Sequence, residues 1–261
     1  MAALRLGVVS YLNVEPMIRG VKGDPRFELR AAVPSRIAEM LHAGEVDLGV
    51  IPSIEYACGD YAIVPGIGIA SRGPVGSVHL FHRVPVEEVR RVALDTSSRT
   101  SVALARILLR ARLGKDPEYL PMSPPLSGML AAADAAVVIG DPALFHEGDE
   151  ARIDLGEEWT RTTGLPFVYA FWAGRPGAVT PEQVGLLQAS LRIGLGAIPA
   201  IASAYNGLGA GRAARSESYL RGNIVYTLGE AELAGLLEFY RRAAALGLIP
   251  RLPELRFHAH P

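Results

Sequence analysis

Leu4-Arg5-Leu6-Gly7-Val8-Val9-Ser10-Tyr11-Leu12-Asn13-Val14-Glu15-Pro16 passes from an apolar run, through a short polar loop, to a proline that opens a helix. Leu4 to Val9 has the length and composition of a buried strand. Proline suits the first turn of a helix, where its missing N–H would have had no partner. A strand that leads straight to a helix start presents the intervening loop at the carboxyl edge of a sheet, where open α/β folds bind ligands.

The same unit recurs along the chain. Phe27 to Val33 reads as a second strand, and Ser35 precedes a helix from Arg36 to His42 with Ile37, Met40 and Leu41 on one face and Gly44 as its stop. Asp47 to Ile51 is a further buried strand, after which Pro52 and Ser53 open a short helix. Ser77 to Arg83 is another strand. Pro85 and the charged Glu87 to Arg91 interrupt the pattern before the strand Val92 to Asp95 begins a second set. That set holds the polar run Thr96 to Ser101, a helix Val102 to Arg112 closed by Gly114, and a strand Ala135 to Ile139 before Gly140, Asp141 and Pro142. Leu165 to Ala173 is an aromatic strand ended by Gly174, Arg175, Pro176 and Gly177, and Thr180, Pro181 and Gln183 then start a helix. The remaining length is mainly helical, with an amphipathic segment from Glu230 to Leu246.

Alternating strands and helices predict an α/β protein with a largely parallel sheet. The C-terminal helices bring no strand series of their own. Packing them back on the first half predicts two lobes, residues 1–85 with 175–261 and residues 86–174. The chain then crosses twice, near 84–91 and 173–176, making a hinge around a cleft. A single doubly wound domain with a helical tail gives the same local patterns, and periodicity does not separate the two.

The 261 residues are 49% hydrophobic and 20% charged, enough to bury one large core or two modest ones. Lys and Arg total 26 against 27 acidic residues, so no global field favours nucleic acid, and an anion must be held by a local site. The single cysteine, Cys58, excludes an intrachain disulfide and reads as a buried small side chain. No run of about 18 apolar residues predicts a membrane span. Met1 to Val8 is too short and interrupted for a signal peptide. The expectation is a cytoplasmic monomer or homodimer whose partner is a small molecule, with no nucleic acid and no membrane.

Four places could hold chemistry. Ser10, Tyr11 and Asn13 follow the first strand; Ser and Asn can hydrogen-bond an anion without adding charge, and each equally reads as a cap of the turn or helix there. Thr96 to Ser101 carries five hydroxyls where capping needs one, so Ser98, Thr100 and Ser101 suit a carboxylate at a helix start. Arg99 belongs to the same run and could instead pair with a surface acid. Gly140 and Asp141 form a third loop, although a carboxylate there opposes an anionic ligand unless it receives a hydroxyl or is paired. Ser77 follows Gly73 to Gly76 and could line the same cleft. The six histidines do not cluster, and His79 and His82, three apart in a strand, point to opposite faces, so no metal site is expected. The glycine-rich run 207–211 lacks the Lys and Ser or Thr of a phosphate loop and reads as a helix-to-helix loop.

Leu6, Gly7, Val9, Ser10, Tyr11, Leu12, Asn13 and Pro16, then Pro34, Ser35 and Gly44 to Pro52, together resemble the chorismate dehydratase family, and Asp95, Thr96, Ser98, Arg99, Thr100 and Ser101 extend the similarity. The resemblance implies a fold like the type II periplasmic binding proteins, a place in the futalosine route to menaquinone, and no metal or organic cofactor. The implied reaction removes water from chorismate to give 3-(1-carboxyvinyloxy)benzoate, the ring becoming aromatic as its hydroxyl and a ring proton depart. By this resemblance Asn13 orients the ring hydroxyl or the enolpyruvyl group, and Tyr11 shapes the pocket. Ser98 to Ser101 would stabilise charge developing at the ring carboxylate. No histidine or carboxylate stands out as proton acceptor, so the substrate's own enolpyruvyl carboxylate is expected to serve. The rival within the same route is 1,4-dihydroxy-6-naphthoate synthase, whose N-terminal Ser, Pro, Cys, Pro, Asn pattern is missing. A non-catalytic solute receptor or a regulator's effector domain would share the fold; the chain start counts against both.

Overall fold

The computed structural model describes residues 3–205 and 210–260. Among these residues ten strands form two five-stranded sheets. The strands are β1 (Leu4–Val9), β2 (Phe27–Ala32), β3 (Leu48–Pro52), β4 (Ala62–Ser71), β5 (Val78–His82), β6 (Arg91–Asp95), β7 (Glu118–Met122), β8 (Ala135–Ile139), β9 (Arg152–Asp154) and β10 (Phe167–Gly174). The helices are α1 (Glu15–Ile18), α2 (Pro34–His42), α3 (Arg99–Leu113), α4 (Leu126–Ala132), α5 (Gly140–Leu144), α6 (Leu155–Thr163), α7 (Pro181–Gly196), α8 (Ile198–Ala204), α9 (Ala210–Ser218) and α10 (Glu230–Ala245).

The first sheet has the order β2-β1-β3-β10-β4 and the second β7-β6-β8-β5-β9. In the first, β1 is parallel to β2 and β3, whereas β10 is antiparallel to β3 and β4. In the second, β6 is parallel to β7 and β8, whereas β5 is antiparallel to β8 and β9. In each sheet four strands therefore run the same way, and the one antiparallel strand, β10 or β5, has just arrived from the other lobe. Central β3 and β8 are buried at every position, as strands covered on both faces must be.

This topology corrects the expected lobe boundaries. The strand at 78–82 was assigned to the first lobe and that at 167–174 to the second, but β5 pairs with β8 and β10 with β3. The crossings lie between β4 and β5, at 72–77, and between α6 and β10, at 164–166. Pro85 leads only into a one-turn helix, Val86–Glu88, between β5 and β6, and Gly174 to Gly177 only join β10 to α7. Periodicity reports that a strand is buried but not which sheet it joins, so the density of breakers was a poor guide to the crossing. The first crossing is pinned by a carboxylate: Asp154 accepts from the backbone N–H groups of Val75 at 3.0 Å and Gly76 at 2.6 Å. Burial opposes the charge on Asp154, but His79 and these N–H groups outweigh it and hold its carboxyl below the usual range.

The C-terminal helices do pack back on the first sheet, α7 against α1 and β4, α10 against β10. Helix α2 approaches β1 and β3 closely because both strands carry glycine at the contact: a Cβ would come within 2.9 Å of Ile37 Cγ2 at Gly7 and 3.0 Å at Gly49. Trp159, Trp172, Phe167, Phe171, Phe239 and Tyr240 are almost wholly buried in a core that extends through both lobes, and a smaller cluster around Phe81, Met129 and Leu130 lies under α4. Burial of each such side chain contributes on the order of 2 kcal/mol. Of the run 207–211, only its last two residues, at the start of α9, fall within the described residues. Cys58, expected inside, is exposed at the end of the six-residue 3-10 helix Ser53–Cys58.

Candidate active site between the lobes

Four chain segments meet at the carboxyl ends of the parallel strands. After β1, Tyr11 to Val14 turn through a 3-10 helix into α1, where Pro16 occupies the first turn. After β6, the Ser97 N–H and hydroxyl both donate to Asp95, at 2.9 and 2.7 Å, which turns the chain so that Ser98 caps α3. Ser98 Oγ accepts from Ser101 N at 3.3 Å and donates to Ser101 Oγ at 3.0 Å. After β8 comes Gly140, and Ser77 ends the first crossing.

With residues of β3, β4 and β10 they line a cavity of about 60 Å³, below the roughly 300–1,000 Å³ of small-molecule pockets, so the walls must part to admit a ligand of that size. Its walls are mostly apolar, with Val9, Val50, Ile69, Val75 and Ile139 among them, and its polar groups come from Tyr11, Asn13, Ser77, Ser98, Ser101 and Tyr169. No histidine, carboxylate or basic side chain among the described residues lines it.

The lobes meet through direct bonds around this space. Leu12 N donates to Asp141 Oδ1 at 3.2 Å, and Ile54 N donates to Thr100 Oγ1 at 3.1 Å. Ser35 N donates to Ser97 O at 3.0 Å, and the Tyr11 hydroxyl lies 3.4 Å from Ser97 Oγ. Gly140 has φ of 66°, and a Cβ there would stand 2.7 Å from the Tyr11 ring, so the ring lies flat against bare backbone. Burial pushes the Tyr11 phenol up, so it stays a neutral donor.

The structure sorts the expected site residues. Tyr11, Asn13, Ser77, Ser98, Ser101 and Gly140 converge on the cavity. Ser10 does not: it is exposed, with its N–H bonded to Ala32 O. Arg99 does not either; it points away from the cavity to Glu55 Oε2 at 3.0 Å and Glu39 Oε1 at 3.1 Å, because a helix directs its N1 and N3 residues to different faces. Thr100 is buried and its hydroxyl is used by Ile54. Asp141 receives a hydroxyl, that of Tyr205, as well as the Leu12 N–H, and burial still pushes its carboxyl up.

Three tyrosines escaped the sequence reading. Tyr169 lines the cavity from β10. Tyr219 and Tyr226, from the C-terminal segment, stand behind the lining: the Tyr219 hydroxyl is 2.8 Å from Ser77 Oγ, and Tyr226 donates to the Asn13 carbonyl at 2.9 Å. Their partners are more than 140 residues away in sequence, and nothing local in the segment 219–226 marks them.

Two lobes of this strand order, closed on a cavity at their strand ends, define a type II periplasmic-binding-protein-like fold. Solved structures agree: a protein from Archaeoglobus fulgidus superposes with a TM-score of 0.72 at 18% identity, covering 95% of this chain and 99% of that one. The alkanesulfonate-binding protein of Xanthomonas axonopodis pv. citri, bound to MOPS, gives 0.65 at 21% identity, with 96% and 95% covered. Within that fold the chain belongs to the menaquinone biosynthesis family, which it matches over residues 4–245. The chorismate dehydratase of Thermus thermophilus is 33% identical over 93% of this chain and 95% of its own length. That of Campylobacter jejuni is 32% identical over 61% of this chain and 58% of its own.

Proposed function

We propose that the chain is a chorismate dehydratase, a carbon-oxygen lyase that removes water from chorismate to form 3-(1-carboxyvinyloxy)benzoate for menaquinone. The observation that carries the reading is the cavity lining of a chain in this family: hydrogen-bond donors converge from both lobes, and among the described residues no histidine or carboxylate faces them.

In this reading the ring carboxylate lies against Ser98 and Ser101, where α3 offers hydroxyls and the positive end of a 15-residue helix. Negative charge develops there as the vinylogous ring C–H is broken, so these donors act more strongly on the transition state than on the bound substrate. Asn13 and Ser77 hold the ring hydroxyl or the enolpyruvyl group. The ring proton passes to the enolpyruvyl carboxylate of the same molecule, the bond between the ring and its hydroxyl oxygen breaks, and the departing hydroxide takes that proton from the carboxyl to leave as water while the ring becomes aromatic. The apolar walls keep bulk water from competing for that proton. Binding needs neither metal nor organic cofactor, and the protein works in the cytoplasm, as a biosynthetic enzyme would.

Incubating the purified protein with chorismate tests the proposal. Loss of chorismate with stoichiometric appearance of the aromatic enol ether is expected. Chorismate bound but returned unchanged would make the protein a carboxylate-binding protein and end the enzymatic reading.

A further inference from the structure

The Tyr219 side chain is buried and lies outside the cavity lining, and yet has its hydroxyl 2.8 Å from Ser77 Oγ. Ser77 and Asn13 both line the cavity. Their backbones are held: the Ser77 carbonyl accepts from Gly140 N at 2.8 Å, and the Asn13 carbonyl accepts from Tyr226. What is left to set is which way the protons of the two side chains point.

A phenol and a serine each have one proton to give, so the pair can be ordered in two ways. If Tyr219 donates to Ser77 Oγ, the Ser77 proton is free to enter the cavity. If Ser77 donates to Tyr219, Ser77 shows the cavity only lone pairs, which would face an anionic ligand oxygen repulsively. Burial pushes the Tyr219 phenol well up, so it retains its single proton throughout the working pH range. The tyrosine is set in place by a π-turn, Tyr219–Asn223, a helical irregularity often found beside functional sites.

We propose that Tyr219 is a positioning residue: by donating to Ser77 Oγ from behind, it keeps the Ser77 proton directed at the ligand. This rests on the reading of the cavity as the site of chorismate dehydration. The geometry reaches the ligand only through Ser77, so removing the phenol oxygen matters only while the Ser77 hydroxyl is there to be turned.

A double-mutant cycle on chorismate turnover tests it, with wild type, Tyr219→Phe, Ser77→Ala and the double variant, each checked by thermal melting. Ser77→Ala is expected to lower kcat about 100-fold and Tyr219→Phe about 10-fold, in the range of lost transition-state donors and their supports, with KM changed less than about threefold. The double variant should match Ser77→Ala within about twofold, because the two effects run through one hydrogen bond. Tyr226→Phe, which removes the hydroxyl bonded to the Asn13 carbonyl and has no bond to Ser77, should multiply with Ser77→Ala instead. If Tyr219→Phe fails to fold, 3-fluorotyrosine incorporated at 219 replaces it; it should change kcat in the presence of Ser77 and leave it unchanged in Ser77→Ala. Multiplying effects of Tyr219→Phe and Ser77→Ala in an active protein would overturn the inference alone. A wild type that leaves chorismate unchanged would overturn the proposed function, and the inference with it.

Discussion

The two lobes share one strand plan and put different chemistry in the same slot. Strand β1 of the first sheet corresponds to β6 of the second, and β3 to β8, by their places in the sheet order. After β1 the chain makes a 3-10 turn and a helix of four residues, too short to present a useful dipole, so the first lobe contributes side chains, Tyr11 and Asn13. After β6 it enters a helix of 15 residues capped by Ser98, so the second lobe contributes a helix end with its serines. The clasps between lobes mirror each other too. Leu12 N of the first lobe meets Asp141 after β8, and Thr100 after β6 meets Ile54 N after β3. One clasp contains a carboxylate and the other a neutral hydroxyl. Duplicate topology thus fixes where the walls stand, while the length of the following helix decides whether side chain or backbone supplies the polarity.

The first lobe's contribution should be the most sensitive. Asn13→Ala is expected to reduce kcat by about 100- to 1,000-fold with little change in melting temperature, since only a donor to the reacting molecule is lost. A loss below tenfold in steady-state turnover would move the chemistry to the second lobe. Ser98→Ala should act on both stability and rate, lowering unfolding free energy by about 1 kcal/mol in denaturant titrations through loss of the α3 cap and kcat by about tenfold. Were stability alone to fall, Ser98 would be a cap and no more.

The charged clasp should make itself known by pH. Burial raises the Asp141 carboxyl in the folded protein, so the folded state binds its proton more tightly than the unfolded one. That contribution is present below the reference value of 3.8 and is lost as pH rises through the raised folded value. The melting temperature of wild type relative to Asp141→Asn should therefore decline as pH is raised through the carboxylate range; a flat difference would mean the clasp does not titrate. The smallest effect on activity belongs to Arg99, which the structure turns away from the cavity. Arg99→Gln should leave KM for chorismate within about twofold, and its cost should fall on stability, because the buried Glu55 then keeps, among the described residues, only His42 as a partner. A large rise in KM would restore it to the ligand.

The strands that escaped the sequence reading share a place in the sheets. β1, β3, β5, β6, β8 and β10 announce themselves as apolar runs, whereas three of the four edge strands, β4, β7 and β9, do not; the fourth edge, β2, was legible as Phe27 to Val33. β4 contains Pro65 and Gly66 and pairs with β10 through register shifts, and β7 contains Pro121. An edge strand needs ladder bonds on one side only, so it tolerates the residues that elsewhere mean a turn. The site divides in a similar way. Loops that follow a buried strand directly could be named from the chain alone, and six of the ten residues expected there converge on the cavity. Ser10, Arg99, Thr100 and Asp141 belonged to those loops but not to the cavity, because the direction of a side chain from a loop or a helix start is set by its neighbours in space.

By itself, the sequence determined that this is an α/β protein with polar loops at the helix starts after β1 and β6, since strand and helix starts are local consequences of apolar period, caps and prolines. Only the tertiary structure decided which strands cross between lobes, and that Tyr205, Tyr219 and Tyr226 stand behind the walls. Sheet membership and those hydrogen bonds join residues far apart in the chain, and no local pattern encodes the pairing of distant segments.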